Sequence, residues 1–195
     1  MQVSKSTLYD RYPEVFSAIQ EIVYLEGRNN ANLNILSYGC STGEEVKVLH
    51  EKYFKSAKIT GVDISTESIE SAKKLIVHPN IDFKSSDAVK KENSKYDLIF
   101  CMSVLCKLHF SNMIEKPIPF EYFNDTIKEL YEKLNIGGYL VIYNANYSLF
   151  DSDVFDRFVG IRHSKIKKSF NEALMFTKEH NLMFDDRICI YKKIK

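Results

Sequence analysis

The segment Ile35-Leu-Ser-Tyr-Gly-Cys-Ser-Thr-Gly-Glu-Glu45 constrains this chain more than any other. An apolar run leads into a turn with Gly39 and Gly43 four positions apart, and a helix pattern starts at Glu44. Glycine accepts tight backbone geometry and lets a ligand approach where a Cβ would block it. At the carboxyl end of a first strand, such a turn is where a doubly wound sheet binds its ligand. Asp63 closes a second apolar run, Lys58–Val62, twenty residues after Gly43. A carboxylate there is placed to accept both hydroxyls of a ribose. The dinucleotide fingerprint G-x-G-x-x-G is not met, because Ser41 stands at the middle glycine, where pyrophosphate would approach the backbone. That disfavours NAD. A purely structural strand-turn-helix is the remaining reading of the loop alone.

The rest of the chain alternates two periods. Pro13 suits a first helical position, and Val15, Ile19, Ile22 and Val23 follow at helical spacing. Further helices are expected over Glu44–Phe54, from an N-cap at Ser65 to about Ile76, and over Phe120–Leu134, the last closed by Gly137-Gly138. Strands are expected at Leu33–Leu36, Lys58–Val62, Ile81–Lys84, Asp97–Met102 and Tyr139–Tyr143. In the tail the pattern predicts a helix over Val154–Val159, a strand over Ala173–Thr177 and an edge strand over Arg187–Lys192. Short apolar strands alternating with amphipathic helices predict an α/β fold. The expected architecture is a doubly wound, mostly parallel, seven-stranded Rossmann-like sheet with helices on both faces. The whole of 1–195 is expected to form one domain: a helical lid (1–32), a cofactor-binding core (33–147) and an acceptor-side segment with edge strands (148–195).

Lys+Arg total 27 against 26 Asp+Glu, a net charge of +1, so there is no bulk attraction to a phosphate backbone and no nucleic-acid partner is expected. No apolar run reaches the roughly 18 residues that cross a bilayer, and residues 1–7 carry no signal-peptide pattern, so a cytoplasmic protein without a membrane partner is the expectation. Cys40, Cys101, Cys106 and Cys189 have neither C-x-x-C spacing nor histidines at finger-like distances, and no metal is expected.

Five blocks in this order resemble the class I S-adenosylmethionine-dependent methyltransferases over roughly residues 10–147. They are Ser37-Tyr-Gly-Cys-Ser-Thr-Gly43, Gly61-Val-Asp63-Ile-Ser65, Ser85-Ser-Asp87-Ala88, Tyr96–Leu105 and Leu134–Ile142. The resemblance implies S-adenosylmethionine as cofactor and S-adenosylhomocysteine as product. It places Gly39, Cys40, Ser41 and Gly43 under the methionine and ribose, Asp63 and Ile64 at the ribose, Asp87 and Ala88 at the adenine, and Cys101 and Met102 at the end of the fourth strand. Arg11 and Tyr12 are expected to fold over the cofactor, Arg11 meeting its carboxylate. The loop Gly-Cys-Ser-Thr-Gly-Glu-Glu is similar to that of the chemotaxis-receptor methyltransferases, although the length before the first strand leaves their extra domains out of the expectation. Ser37 stands where the family usually has an acid, and Glu44 or Glu45 is the candidate replacement.

Cys101-Met-Ser-Val104 lacks the proline-rich tetrapeptide of amide and exocyclic-amine methylation, so the methyl is expected to go to oxygen. The acceptor is expected to be a small molecule or sugar, nucleotide-linked or phosphorylated sugars included. His109 is the candidate base, being the histidine that follows the fourth strand. Asn144, Asn146 and Tyr147 follow the fifth strand and are candidates to orient the acceptor, turn chemistry being the plainer reading of the asparagines. The alternatives are a protein carboxyl methyltransferase of chemotaxis type, an NAD-dependent oxidoreductase and a non-catalytic cofactor-binding domain.

Overall fold

A computed structural model describes residues 9–107, 116–167, 173–183 and 188–195. In chain order the elements are α1 (Pro13–Leu25), β1 (Asn34–Tyr38), α2 (Glu44–Val48), β2 (Lys58–Asp63), α3 (Thr66–Leu75), β3 (Ile81–Ser85), α4 (Ser86–Lys91), β4 (Tyr96–Met102), α5 (Phe120–Lys133), β5 (Leu134–Tyr143), β6 (Phe158–Ile161), β7 (Met175–Phe176), β8 (Leu182–Met183) and β9 (Ile190–Lys193). The main sheet has seven strands in the order β3-β2-β1-β4-β5-β9-β6. The first five pair in parallel, and β9 runs antiparallel to both β5 and β6. The α/β doubly wound expectation holds.

Strand alternation sorts the core into two layers. Leu98, Phe100, Tyr139 and Val141 pack with Val15, Phe16 and Ile19 of α1, Val46 of α2 and Ile69 of α3. The intervening residues Ile99, Cys101, Leu140 and Ile142 pack with Val89 of α4 and with Phe123, Ile127 and Leu130 of α5. This follows from a period of two in strands buried on both sides. Local chemistry sets the helix starts. Pro13 occupies the first turn of α1, and the Ser65 and Ser85 hydroxyls accept from the Ser68 and Ala88 amides.

Several boundaries differ from expectation. The helix predicted over Glu44–Phe54 is α2 followed by a π-helical turn, Leu49–Tyr53, whose wider turn lets Leu49, His50 and Tyr53 all face inward. Gly137 and Gly138 do not close α5. They lie inside β5, where Gly137 takes φ 76° and the register with β4 slips between Tyr96 and Leu98. A Cβ on Gly138 would sit 2.8 Å from the carbonyl oxygens of Asn135 and Asp97. The predicted helix Val154–Val159 is a 3-10 turn, Phe155–Arg157, running into β6, because Phe158, Val159 and Ile161 favour extension once strand β9 offers pairing. The predicted edge strand Arg187–Lys192 appears as β9, inside the sheet, and β6 forms the edge instead. Ala173–Thr177 contributes β7 to a separate two-stranded sheet with β8.

Candidate cofactor and acceptor site

The glycine loop leaves β1 through three left-handed residues: Gly39 (φ 79°), Ser41 (φ 50°) and Gly43 (φ 93°). A Cβ on Gly39 would lie 2.4 Å from Val104 Cγ2, and one on Gly43 would lie 2.8 Å from Ile76 Cδ1 and 2.9 Å from Phe83 Cζ. The Gly39 and Cys40 amides both donate to the Val62 carbonyl, at 2.8 and 2.9 Å. The Ser41 amide donates to Asp63 Oδ2 at 2.9 Å, and the Ser65 amide to Oδ1 at 2.8 Å. The loop is therefore tied to the end of β2 by its own amides, which leaves little for a pyrophosphate to bind. Each Asp63 oxygen has accepted one hydrogen bond and retains capacity for a ribose hydroxyl. Ile64, 59% exposed, stands beside it at the same strand end.

Asp87 was expected at the adenine, just beyond a third strand over Ile81–Lys84. The strand ends at Ser85, and Asp87 lies exposed in the first turn of α4 next to Ala88, whose amide donates to Ser85 Oγ at 3.3 Å. Met102 joins the layer of α1 and α2, whereas Cys101 belongs to the opposite layer. Burial raises the thiols of Cys40 and Cys101 far above their ordinary value, which makes both inert hydrophobes.

Beside the loop is a cavity of about 50 Å³ lined by Arg11, Tyr12, Phe16, Gly39, Cys40, Glu45, Val48 and Met102. Glu45 reaches it from α2 and accepts a 2.8 Å hydrogen bond from the Ser37 hydroxyl. The position that usually carries an acid thus holds a serine that grips an acid eight residues on. Burial pushes the Glu45 carboxyl up to about 7, with the Ser37 hydrogen bond and the Arg11 charge acting the other way. Arg11 lies over the Tyr12 ring, 5.1 Å from its centroid.

At the ends of β4 and β5, Ser103 (φ 57°) and Asn144 (φ 59°) are both left-handed. Such conformations cost about 1–3 kcal/mol each when not glycine, less for asparagine. Asn144 Nδ2 donates to Ser103 Oγ at 2.7 Å, and the hydroxyls of Ser103 and Tyr12 are 2.5 Å apart. The side-chain Oδ1 of Asn144 accepts from the Ala173 amide at 2.5 Å. Ser103 escaped the sequence reading because nothing distinguishes a serine after an apolar run from turn chemistry.

Asn146 is fully buried and engages backbone on three sides. Its Oδ1 accepts from the amides of Lys107 (2.8 Å) and Ile118 (3.3 Å), and its Nδ2 donates to Leu174 O (2.9 Å). The Tyr147 hydroxyl, also buried, donates to Ile118 O at 2.7 Å and meets His180 Nδ1 at 3.0 Å. His180, at φ 64° in the β7–β8 turn, was not singled out from the sequence. His109 lies outside the described residues. So does Lys168, the last residue of a basic stretch from Arg162 in which Lys165 pairs with Glu21 at 2.5 Å.

The donor set fits S-adenosylmethionine. A guanidinium and a carboxylate border one cavity and suit an amino-acid zwitterion, Asp63 offers acceptors for a ribose, and exposed Ile64 offers an apolar face for a base. Among the described residues no helix is long and apolar enough to cross a membrane.

Comparison with known proteins agrees with this geometry. A family profile described as a methyltransferase domain matches residues 29–183. The chain is 26% identical over 187 residues to malonyl-[acyl-carrier protein] O-methyltransferase of Acetivibrio thermocellus, covering 93% of this chain and 59% of that protein. It is 30% identical over 140 residues to the enzyme of the same name from Priestia megaterium, covering 68% and 45%. The chain thus spans about half the length of the curated relatives it matches. Among solved structures, PKMT2 from Rickettsia typhi superposes with a TM-score of 0.51 at 22% identity over 70% of this chain and 26% of that one, a likeness of fold. The match across most of the chain, on a sheet of this order with its glycine loop tied to Asp63, places the protein in the family of class I S-adenosylmethionine-dependent methyltransferase domains.

Proposed function

We propose that this chain transfers a methyl group to an oxygen atom of a small acceptor, a carboxylate on a short acyl chain being the best-supported class. The observation that carries the reading is the pairing of Arg11 and Glu45 on one small cavity beside the Asp63-tied loop. Arg11 would meet the carboxylate of the cofactor's methionine end, and Glu45 its ammonium. Asp63 would hold the ribose hydroxyls, with Ile64 against the adenine ring and Asp87 and Ala88 at its edge. Gly39, Cys40, Ser41 and Gly43 would shape the floor, Met102 the wall, with Cys101 packed behind. When bound, S-adenosylmethionine would supply an electrophilic methyl on a sulfonium, which the acceptor oxygen would attack in line while sulfur leaves with the carbon–sulfur pair as the neutral thioether. The protein's contribution is then mainly alignment. The names of the relatives, O-methyltransferases of a malonyl group, support an acyl acceptor over a sugar. His109 remains the proposed base for a hydroxyl acceptor, whereas a carboxylate is already ionised at neutral pH. Asn144 would touch the acceptor. Asn146 and Tyr147 would hold the walls of its pocket through the backbone they already bind.

Calorimetric titration with S-adenosylhomocysteine, with NAD in parallel, tests the reading. Binding of the first alone is expected, and Asp63→Ala should weaken it by about 100-fold or more, since two charge-assisted hydrogen bonds and the loop's anchor go together. Binding of NAD in its place would overturn the proposal in favour of an oxidoreductase.

A further inference from the structure

We infer that Asp10 is a positioning residue for the cofactor: held by Tyr53 and Lys52, it fixes the turn that keeps Arg11 at the cavity, and so sets how firmly the cofactor's methionine end is retained. The inference rests on the methyltransferase reading and on the cofactor site given above. Arg11 is exposed and lines the cavity from the segment before α1, which belongs to no helix or strand. Its aim therefore depends on what pins that segment on either side. After it, the Tyr12 hydroxyl lies 2.5 Å from Ser103 Oγ, and the Tyr12 ring packs on Tyr143 of β5 with centroids 4.9 Å apart.

Before it, the anchor is the π-helical turn Leu49–Tyr53. Tyr53 is 3% exposed and donates its hydroxyl to Asp10 Oδ1 at 2.8 Å, while Lys52 pairs with Oδ2. The Tyr9 hydroxyl adds a 3.2 Å hydrogen bond to Glu51 Oε2. Three successive residues of the turn thus meet two successive residues of the segment, 42 or 43 positions away in sequence. Tyr53 is itself fixed, edge-on to Phe16 at 5.4 Å, with its carbonyl accepting from Gln20 Nε2 at 2.5 Å. Asp10 has φ 55°, a left-handed turn that aspartate adopts more readily than most residues. The grip also decides where positive charge goes. Asp10 is the acid next to Arg11 in the chain, but its two oxygens are engaged by the π turn, and the guanidinium stays over the Tyr12 ring at the cavity. A guanidinium kept there suits the carboxylate of a bound amino acid. Lys52 is half exposed and its pair is screened by solvent, so the buried Tyr53 is the stronger part of the grip.

The test is calorimetric titration with two probes, S-adenosylhomocysteine and methylthioadenosine, the second being the same nucleoside thioether without the amino-acid end. In Asp10→Gly the left-handed turn is kept and the grip is removed. This variant is expected to bind S-adenosylhomocysteine about five- to tenfold more weakly, the worth of one or two hydrogen bonds, and methylthioadenosine as the parent does. Tyr53→Phe, which keeps the packing on Phe16, should weaken S-adenosylhomocysteine about threefold with the same selectivity. On an Arg11→Ala background the effect of Asp10→Gly should shrink to about twofold or less, because the residue it places is gone. Equal loss of both probes, no loss of either, or an undiminished effect on the Arg11→Ala background overturns the inference and makes Asp10 a purely structural tie. A parent protein that binds neither probe counts instead against the methyltransferase reading.

Discussion

The two halves of the proposed site, one for the cofactor and one for the acceptor, are held together differently. The cofactor half is closed by backbone amides and one carboxylate: Gly39 and Cys40 on Val62, Ser41 and Ser65 on Asp63. The acceptor half is closed by side chains that reach across the fold. Asn144 reaches Ser103 over 41 positions, and Asn146 reaches Lys107 over 39 and Leu174 over 28. Most links of the first kind survive a change of side chain. Links of the second kind do not, since a single substitution removes the partner and strands buried backbone groups. A fold arranged in this way can keep one cofactor and reshape the pocket for its acceptor.

Substitution can break this contrast or sharpen it. The largest effect is expected for Asn146→Ala. Three buried hydrogen bonds disappear, and a loss of about 3 kcal/mol in denaturant unfolding should follow, with affinity for S-adenosylhomocysteine nearly intact. Unchanged stability with a raised acceptor KM would mean that Asn146 touches the acceptor directly. Gly39→Ala comes next, at about 2 kcal/mol, from a Cβ driven into Val104 and a left-handed φ. Adding Val104→Ala should recover the packing part and leave the backbone part. Full recovery would show that the turn itself tolerates a side chain.

The smallest effect concerns pH. The folded Glu45 carboxyl is raised to about 7, above its unfolded value of 4.5, so the native state binds the extra proton between these values. Its contribution to stability is fully present below about pH 4.5 and is lost as pH rises to about 7. Glu45→Gln should flatten that part of the stability profile. Ionised Glu45 is the form that would hold an ammonium, so affinity for S-adenosylhomocysteine should rise over the same interval in the parent and not in the variant. A pH-independent affinity in the parent would remove Glu45 from the cofactor site.

The glycine loop and its tie to Asp63 were readable in advance because their determinants are local and conformational. Gly39, Gly43 and Asp63 sit at strand ends, where left-handed turns and a strand-terminal carboxylate have few substitutes. The replacement of the loop's acid was visible only as a choice between Glu44 and Glu45; of the two, Glu45 borders the cavity and accepts from Ser37. Ser103 carried no comparable signal, since a serine after an apolar run occurs for many reasons. Asn146 was noticed for its position, but its three backbone partners lie on segments that approach only in the folded chain. The tail was misread for a related reason. Phe158–Ile161 became a strand when β9 lay beside it, and no residue nearby in sequence announces that pairing.

Periodicity and turn chemistry in the amino-acid order were thus enough to specify a parallel α/β sheet and its switch point, and the resemblance of five blocks to the class I methyltransferases implied the cofactor. Each of these depends on interactions within a few tens of residues, and so leaves a mark on local composition. The order of the last strands, the inward π turn and the acid that faces the cavity were settled by tertiary packing. They arise where distant segments compete for the same buried hydrogen-bonding groups, and only the folded chain determines which segment satisfies them.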